Sequence, residues 1–399
     1  MAITSRNRIL RALLSGFVVN GFLALIGFLK MGIVANAISS DLLPSYFIYL
    51  AIWSWFARNG ESVRQASRQT KSSFTWKSGI DAYKQEWKIL LPFSIVIVLL
   101  FLFTETFDFT FEIRDVFITL FFGWLFVYSS TYTGILESNG RIEFANWTTL
   151  AISIITLTPF LLVSKSGSLS MLLFAYYFMN IMPGIVHGLL IAKQSKYMKT
   201  GGQRFFIEDL FRYKRIVLLE SLPRVAVPFF LAYDLDTEEL SIYSILIRLF
   251  IIYGVYAISI NPVISLESKY FASHEVGNLL KLIGPIVFVL SSIFIFLFSE
   301  RLISLLGATN VQIKFLELIP FFALGIISIS TQQFIGSCSN GARLVLREKS
   351  IMFTIILSIL VIPFCTHLLG FSGGFISLGL CQLFYFFSLR HFVLTSQIS

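Results

Sequence analysis

Twelve apolar stretches, each about as long as a bilayer is thick, dominate this chain. They lie near 9–29, 42–57, 89–106, 116–136, 147–164, 169–192, 216–233, 240–262, 279–299, 314–335, 350–369 and 372–394. About 20 apolar residues cross the roughly 30 Å of bilayer hydrocarbon. Only 13% of the 399 residues are charged and 43 are Phe, whereas a soluble domain carries about 25% charged residues. Lipid is therefore the expected solvent. The second stretch is short and is expected to continue as helix past Arg58; the tenth opens on Lys314 and Glu317. Only a tight turn at Phe371-Ser372-Gly373-Gly374 separates the last two. The first follows Arg6, Arg8 and Arg11. It is longer than a signal-peptide core and no small-x-small cleavage site follows, so it is expected to be a retained first helix.

Charge orients these spans. The segment 58–88 holds Arg58, Arg64, Arg68, Lys71, Lys77, Lys84 and Lys88; the segment 193–215 holds Lys193, Lys196, Lys199, Arg204, Arg212, Lys214 and Arg215. Arg343, Arg347 and Lys349 mark a third basic loop, 336–350. With twelve spans, all of these fall on the side of the basic N-terminus. The opposite loops carry Glu105, Asp108, Glu112 and Asp115, then Asp234, Asp236, Glu238 and Glu239. Cytoplasmic loops collect Lys and Arg, so both termini are expected in the cytoplasm. The net charge of +9 then reflects topology and contact with anionic membrane lipids, not nucleic-acid binding. A basic amphipathic helix within 58–88, with Trp76 and Trp87 at the interface, fits the same picture.

Catalytic motifs are missing from the sequence. There is no P-loop, no GxGxxG after a strand, no GxSxG and no HExxH. Cys338, Cys365 and Cys381 are isolated and read as free thiols; His187, His274, His367 and His391 are scattered. No enzyme activity, metal or cofactor is expected.

Two stretches repeat. SDLLPSYFIYLA (40–51) aligns with TEELSIYSILIR (237–248): Asp41 with Glu238, Leu43 with Leu240, Tyr46 with Tyr243 and Ile48 with Ile245, each pair 197 residues apart. Each copy sits at the outer turn before an even-numbered span. The fold class expected is an all-α integral membrane protein, with twelve transmembrane helices in two six-helix lobes (1–200 and 201–399) around a central cavity. Parallel repeats of this kind build many transporters.

Three stretches carry a family resemblance. LLPSYFIYLAIWSWFARNGESVRQASRQT (42–70), LDTEELSIYSILIRLF (235–250) and INPVISLESKYFASHE (260–275) resemble the second-helix, eighth-helix and Pro-containing exit segments of the polysaccharide or O-antigen flippases (Wzx-type). These belong to the multidrug/oligosaccharidyl-lipid/polysaccharide exporter superfamily. Asn59-Gly60 departs from the family's usual Asp-x-Gly. The resemblance implies a multi-pass protein of the bacterial cytoplasmic membrane that moves an undecaprenyl-diphosphate-linked oligosaccharide, an O-antigen or lipopolysaccharide repeat unit, to the outer face. It implies a polysaccharide polymerase and a chain-length regulator as partners. Drug export within the superfamily, or a non-transporting role beside polysaccharide-assembly enzymes, are the alternatives.

A polar, anionic head group needs cations at depth. Counting 1.5 Å per residue, Arg224 lies roughly 12–13 Å from one face and Arg248 roughly as deep from the other, with Glu220 at roughly 6 Å. Facing lipid, each would cost at least about 2.5–3.5 kcal/mol. Arg224 and Arg248 are therefore candidate contacts for diphosphate or acidic sugar, since the guanidinium fork binds such oxyanions bidentately. Glu220 is a further candidate of the substrate site: an i,i+4 partner for Arg224, held permanently or parting from it when an anionic head group arrives, or else a proton carrier. Pro223 and Pro228 are expected to break or bend this span. Asn20 and Asn180 lie mid-span and are candidates for sugar hydroxyls. His187, Gln332 and Gln333 read as interhelical hydrogen-bonding groups.

Overall fold

The computed structural model describes residues 2–39, 42–69, 76–102, 112–195, 203–250, 253, 255, 259, 274–305, 315–337 and 342–398. Among these, all regular structure is α-helical. The helices are α1 (Ala2–Ala37), α2 (Leu43–Gln69), α3 (Trp76–Leu102), α4 (Ile113–Ser138), α5 (Ile142–Ser164), α6 (Leu169–Ser195), α7 (Gln203–Asp234), α8 (Thr237–Leu249), α9 (His274–Leu305), α10 (Phe315–Ser337) and α11 (Ala342–Ile398).

The run α11 covers 57 residues, which as a straight rod would be about 85 Å, nearly three bilayers. It is instead a hairpin. Gly370 adopts φ 51° and ψ −128°, a conformation that glycine enters without steric penalty. A Cβ placed on Gly373 would lie 1.9 Å from the carbonyl oxygen of Cys365, eight residues earlier. Only a chain that doubles back brings those residues together. The two limbs are the last two expected spans, and the reversal sits at Gly370, one residue before the expected turn. Each of the twelve expected spans falls wholly or in part on a described helix; 103–106 of the third, 314 of the tenth and most of 251–262 of the eighth lie outside the described residues.

The basic segments are largely helical, as expected past Arg58 and contrary to the loop expected at 193–215. Arg58, Arg64 and Arg68 extend α2; Lys77, Lys84 and Lys88 belong to α3; Arg204, Arg212, Lys214 and Arg215 belong to α7. No separate amphipathic helix occupies the described part of 58–88. Continuing a helix satisfies each backbone N–H internally, which a loop at the membrane surface must leave to water. The prolines do not break the helix. The helix α7 passes through Pro223 and Pro228 without interruption, leaving the carbonyls of Leu219 and Arg224 without their usual donors.

Contacts group the chain into two units, Leu25–Val217 and Met1–Ala24 with Leu218–Ser399. In the first, α4 is the hub and packs on α2, α3, α5 and α6. Small residues permit these approaches, as in other membrane bundles. The Phe56 ring of α2 lies against Gly123 of α4, and Ser129 of α4 against Gly184 of α6. Along α2, Tyr46 to Trp53, Trp55 and Phe56 are all buried, so this helix is wrapped on every side.

In the second unit, α8 packs on α9 and α11, and α11 on α10. Asp236 caps α8 by accepting the backbone N–H of Glu239 at 2.8 Å. The repeat can be followed inside each unit. Leu43 and Leu240, Tyr46 and Tyr243, and Ile48 and Ile245 are all buried. Continuing by 197, Phe56 matches Tyr253. Phe56 covers Gly123 in its unit and Tyr253 covers Gly325 in its own. Asp41 and the side chain of Glu238 lie outside the described residues.

The outward surface completes the case for lipid. Ile155 and Leu360 are each 69% exposed, and Leu290 is 63%. Six described helices or helix runs are long and apolar enough to cross a membrane, one being the α11 hairpin. The chain is an all-α, multi-pass integral membrane protein.

Candidate functional site

Buried charge inside these helices is the feature that a lipid solvent makes expensive. In the unit Leu25–Val217, an ion pair joins α2 to α4. Arg64 Nη2 donates to Glu137 Oε1 at 2.5 Å, and Arg64 Nη1 also meets Glu61 at 3.2 Å. Glu137 is buried. Desolvation pulls the Arg64 guanidinium down, and the Glu137 and Glu61 carboxylates more than restore it, so it is held above its ordinary range. One turn before Glu137, Thr133 meets His187 Nδ1 at 2.9 Å. That contact ties α4 to α6, the interhelical role expected of His187.

In the other unit, Glu220 of α7 is held by α11. Its Oε1 accepts from Arg347 Nη2 at 2.8 Å and from the Tyr385 hydroxyl at 2.7 Å. The Arg347 side chain is 4% exposed and that of Glu220 is 24%. Tyr385 packs with Ile351 and Leu389, flanked by Leu219, Leu346 and Val393. Arg347, expected in a basic loop, lies within the first limb of α11 instead. Its neighbours Leu344, Val345 and Leu346 were the available signal.

The remaining sequence candidates stand as follows. Arg224 is half-buried on α7. Arg248 belongs to α8, and its side chain lies outside the described residues, as do those of Gln332 and Gln333. Asn20 donates from Nδ2 to Ser259 Oγ at 3.1 Å. Asn180 donates to the Tyr176 carbonyl, one turn earlier on its own helix, at 2.7 Å.

One buried cation was not foreseen. Lys30 is 5% exposed, and its Nζ lies 5.3 Å from the centroid of the Tyr176 ring on α6. Among the described residues no carboxylate forms an ion pair with it. With a first span ending near 29, Lys30 falls outside the membrane; α1 runs on to Ala37 and draws it inside. The apolar Met31-Gly32-Ile33-Val34-Ala35 beyond the lysine carried that signal. Lys30 is seven residues from the last residue of α1 and Tyr176 seven from the first of α6, so each is about 10 Å from that helix end. A cation–π contact is worth about 0.5–2 kcal/mol, against at least about 2.5–3.5 kcal/mol for the buried charge. The ring therefore compensates only part of the cost, and an oxyanion beside Lys30 would supply the rest.

No family model matches the chain, and no curated protein matches it in sequence. Solved structures do match in fold. The lipid II flippase MurJ, in an inward closed conformation, aligns with a TM-score of 0.61 at 15% identity, covering 94% of this chain and 87% of that one. A MATE transporter in complex with MaD3S gives 0.63 at 14%, covering 98% and 97%. A mutant of the Vibrio cholerae MATE transporter VcmN gives 0.62 at 12%, covering 99% of each. The chain has the fold that these transporters share.

Proposed function

We propose that this protein is a flippase for an anionic, lipid-linked oligosaccharide, delivering an undecaprenyl-diphosphate-linked repeat unit from the cytoplasmic to the outer face of the bacterial inner membrane. The fold hosts both a lipid II flippase and multidrug transporters, so the fold alone does not choose between them. Lys30 carries the choice. A buried ammonium with no carboxylate ion pair among the described residues attracts an anion and repels a cationic drug. Arg224 and Arg248, on consecutive helices, add positive charge of the kind that binds diphosphate. The task requires no bond chemistry: an anionic head group passes through a hydrated path while its polyprenyl tail stays in lipid. The proposed topology has both termini in the cytoplasm and two lobes, 1–200 and 201–399. A polymerase and a chain-length regulator would receive the product.

The test is complementation of a deletion strain. Loss of the protein is expected to leave lipid-linked repeat units on the cytoplasmic face and to abolish surface polymer. The wild-type chain restores the polymer, while Lys30→Gln and Arg224→Ala reach the membrane but do not. Normal surface polymer from the Lys30→Gln protein would refute the reading.

A further inference from the structure

Resting on that reading, we propose that Tyr176 is a positioning residue that keeps the Lys30 ammonium charged and uncancelled for an incoming oxyanion. A buried lysine is ordinarily stabilised by a carboxylate, which removes the net charge that an anion would feel. An aromatic face stabilises the cation through its quadrupole and leaves that charge intact. Tyr176 is the ring that meets Lys30, at 5.3 Å.

The surroundings fix this arrangement from both sides. The neighbouring Tyr177 is fully buried. Its hydroxyl meets Thr119 Oγ1 of α4 at 2.9 Å and donates to the Tyr49 carbonyl of α2 at 3.4 Å. Its ring stacks on Trp53 of α2 at 4.4 Å between centroids. These contacts set the rotation of α6, and with it the direction of Tyr176. The end of α1 is held as well: at the turn between α5 and α6, a Cβ on Gly167 (φ +64°) would come within 3.3 Å of the Ala37 carbonyl. With both helices pinned, the ammonium is held beside the ring rather than withdrawn to water. Asn180 lies one turn beyond Tyr176 and is likewise only half-buried, so a polar amide borders the same place.

The ligand chemistry is an oxyanion, either the diphosphate or a sugar carboxylate. Titration calorimetry of the full chain in lipid nanodiscs, with inorganic pyrophosphate and with glucuronate in separate arms, distinguishes the two. Wild type is expected to bind at least one of them, and Lys30→Gln to weaken that binding at least tenfold. Tyr176→Phe keeps the ring and should stay within twofold of wild type. Tyr176→Leu loses the ring and should bind about fivefold more weakly, the equivalent of ~1 kcal/mol. Tyr176→Glu supplies an internal counter-ion and should bind as poorly as Lys30→Gln. Binding that survives Lys30→Gln, or is absent from wild type in both arms, would overturn the anion site itself. Binding lost in Lys30→Gln but unchanged in both Tyr176→Leu and Tyr176→Glu would overturn the role of Tyr176 and leave the site standing.

Discussion

Removing the carboxylate of Glu220 should cost far more than removing its cationic partner. In Glu220→Leu the Arg347 guanidinium, on a side chain only 4% exposed, loses its counter-ion; stranding a buried charge costs about 3–5 kcal/mol. In Arg347→Met the carboxylate keeps the Tyr385 hydroxyl at 2.7 Å and, at 24% exposure, some solvent. That loss should be about 1–2 kcal/mol, and methionine fills much of the vacated volume. The double variant strands no charge and loses mainly the acceptor for Tyr385, about 1–2 kcal/mol. The two single losses therefore exceed the double loss by about 2 kcal/mol or more, a strong coupling on the scale of double-mutant cycles. Denaturant unfolding in mixed micelles would measure it. All six tryptophans (Trp53, Trp55, Trp76, Trp87, Trp124 and Trp147) lie before residue 148, so native fluorescence reports the other unit. A Phe353→Trp background, at a lipid-exposed position of α11, supplies the missing probe. Coupling below about 0.5 kcal/mol would show that Arg347 and Glu220 do not depend on each other and would refute the clasp.

Other perturbations test other parts of the fold. Gly373→Ala drives a Cβ into the Cys365 carbonyl, whereas Gly27 has open space around its Cβ position. Alanine at the first should lose more than about 2 kcal/mol and at the second should gain up to about 1 kcal/mol of helix stability, both read from thermal unfolding in detergent. Thr133→Val removes the 2.9 Å partner of His187 Nδ1, a buried imidazole, and should cost about 1–3 kcal/mol; His187→Leu in the same background should recover part of that loss. In a variant lacking Cys338, Cys365 and Cys381, a cysteine at Asn139 should react with an impermeant maleimide only from the cytoplasm, and one at exposed Ser166 only from outside. The reverse labelling would invert the proposed topology.

The helices were legible in the sequence because lipid enforces long apolar runs, and the same enforcement made their ends illegible. Reading stops where polarity begins, yet α1 continues through Lys30 to Ala37; only at α2, which runs to Gln69, was the continuation past Arg58 expected. Long basic side chains reach a partner from within a helix, so polarity does not terminate one. Pairing was the second blind spot. Glu220 and Arg224 are four apart and face each other in a one-dimensional reading, but the Glu220 carboxylate is held by Arg347, 127 residues away. A contact of that range depends on how the helices pack, which spacing along one helix does not encode. The repeat was visible at Tyr46 and Tyr243 because both occupy the same buried register. Its best support, Phe56 on Gly123 and Tyr253 on Gly325, needed helices far apart in sequence.

Sorting buried charges by their partners separates scaffold from function more cleanly than sorting them by depth. Arg64 with Glu137 and Arg347 with Glu220 are neutral as pairs and join helices within one unit. All but Glu220 lie near the helix ends that carry the basic residues. Such pairs are weak contributors to net stability and strong determinants of which helix meets which. Glu220 accepts from both a guanidinium and a phenol and so joins α7 to α11. Lys30 belongs to another class: its ammonium meets the Tyr176 ring and, among the described residues, no carboxylate. A protein that needed only a stable α1–α6 contact would be better served by methionine at position 30, which fills similar volume without the ionic cost. The expected result is therefore opposed in the two readouts: Lys30→Met should raise thermal stability while abolishing transport of an anionic cargo. A variant that lost both together would make Lys30 a structural residue, and the case for an anionic substrate would then rest on Arg224 and Arg248 alone.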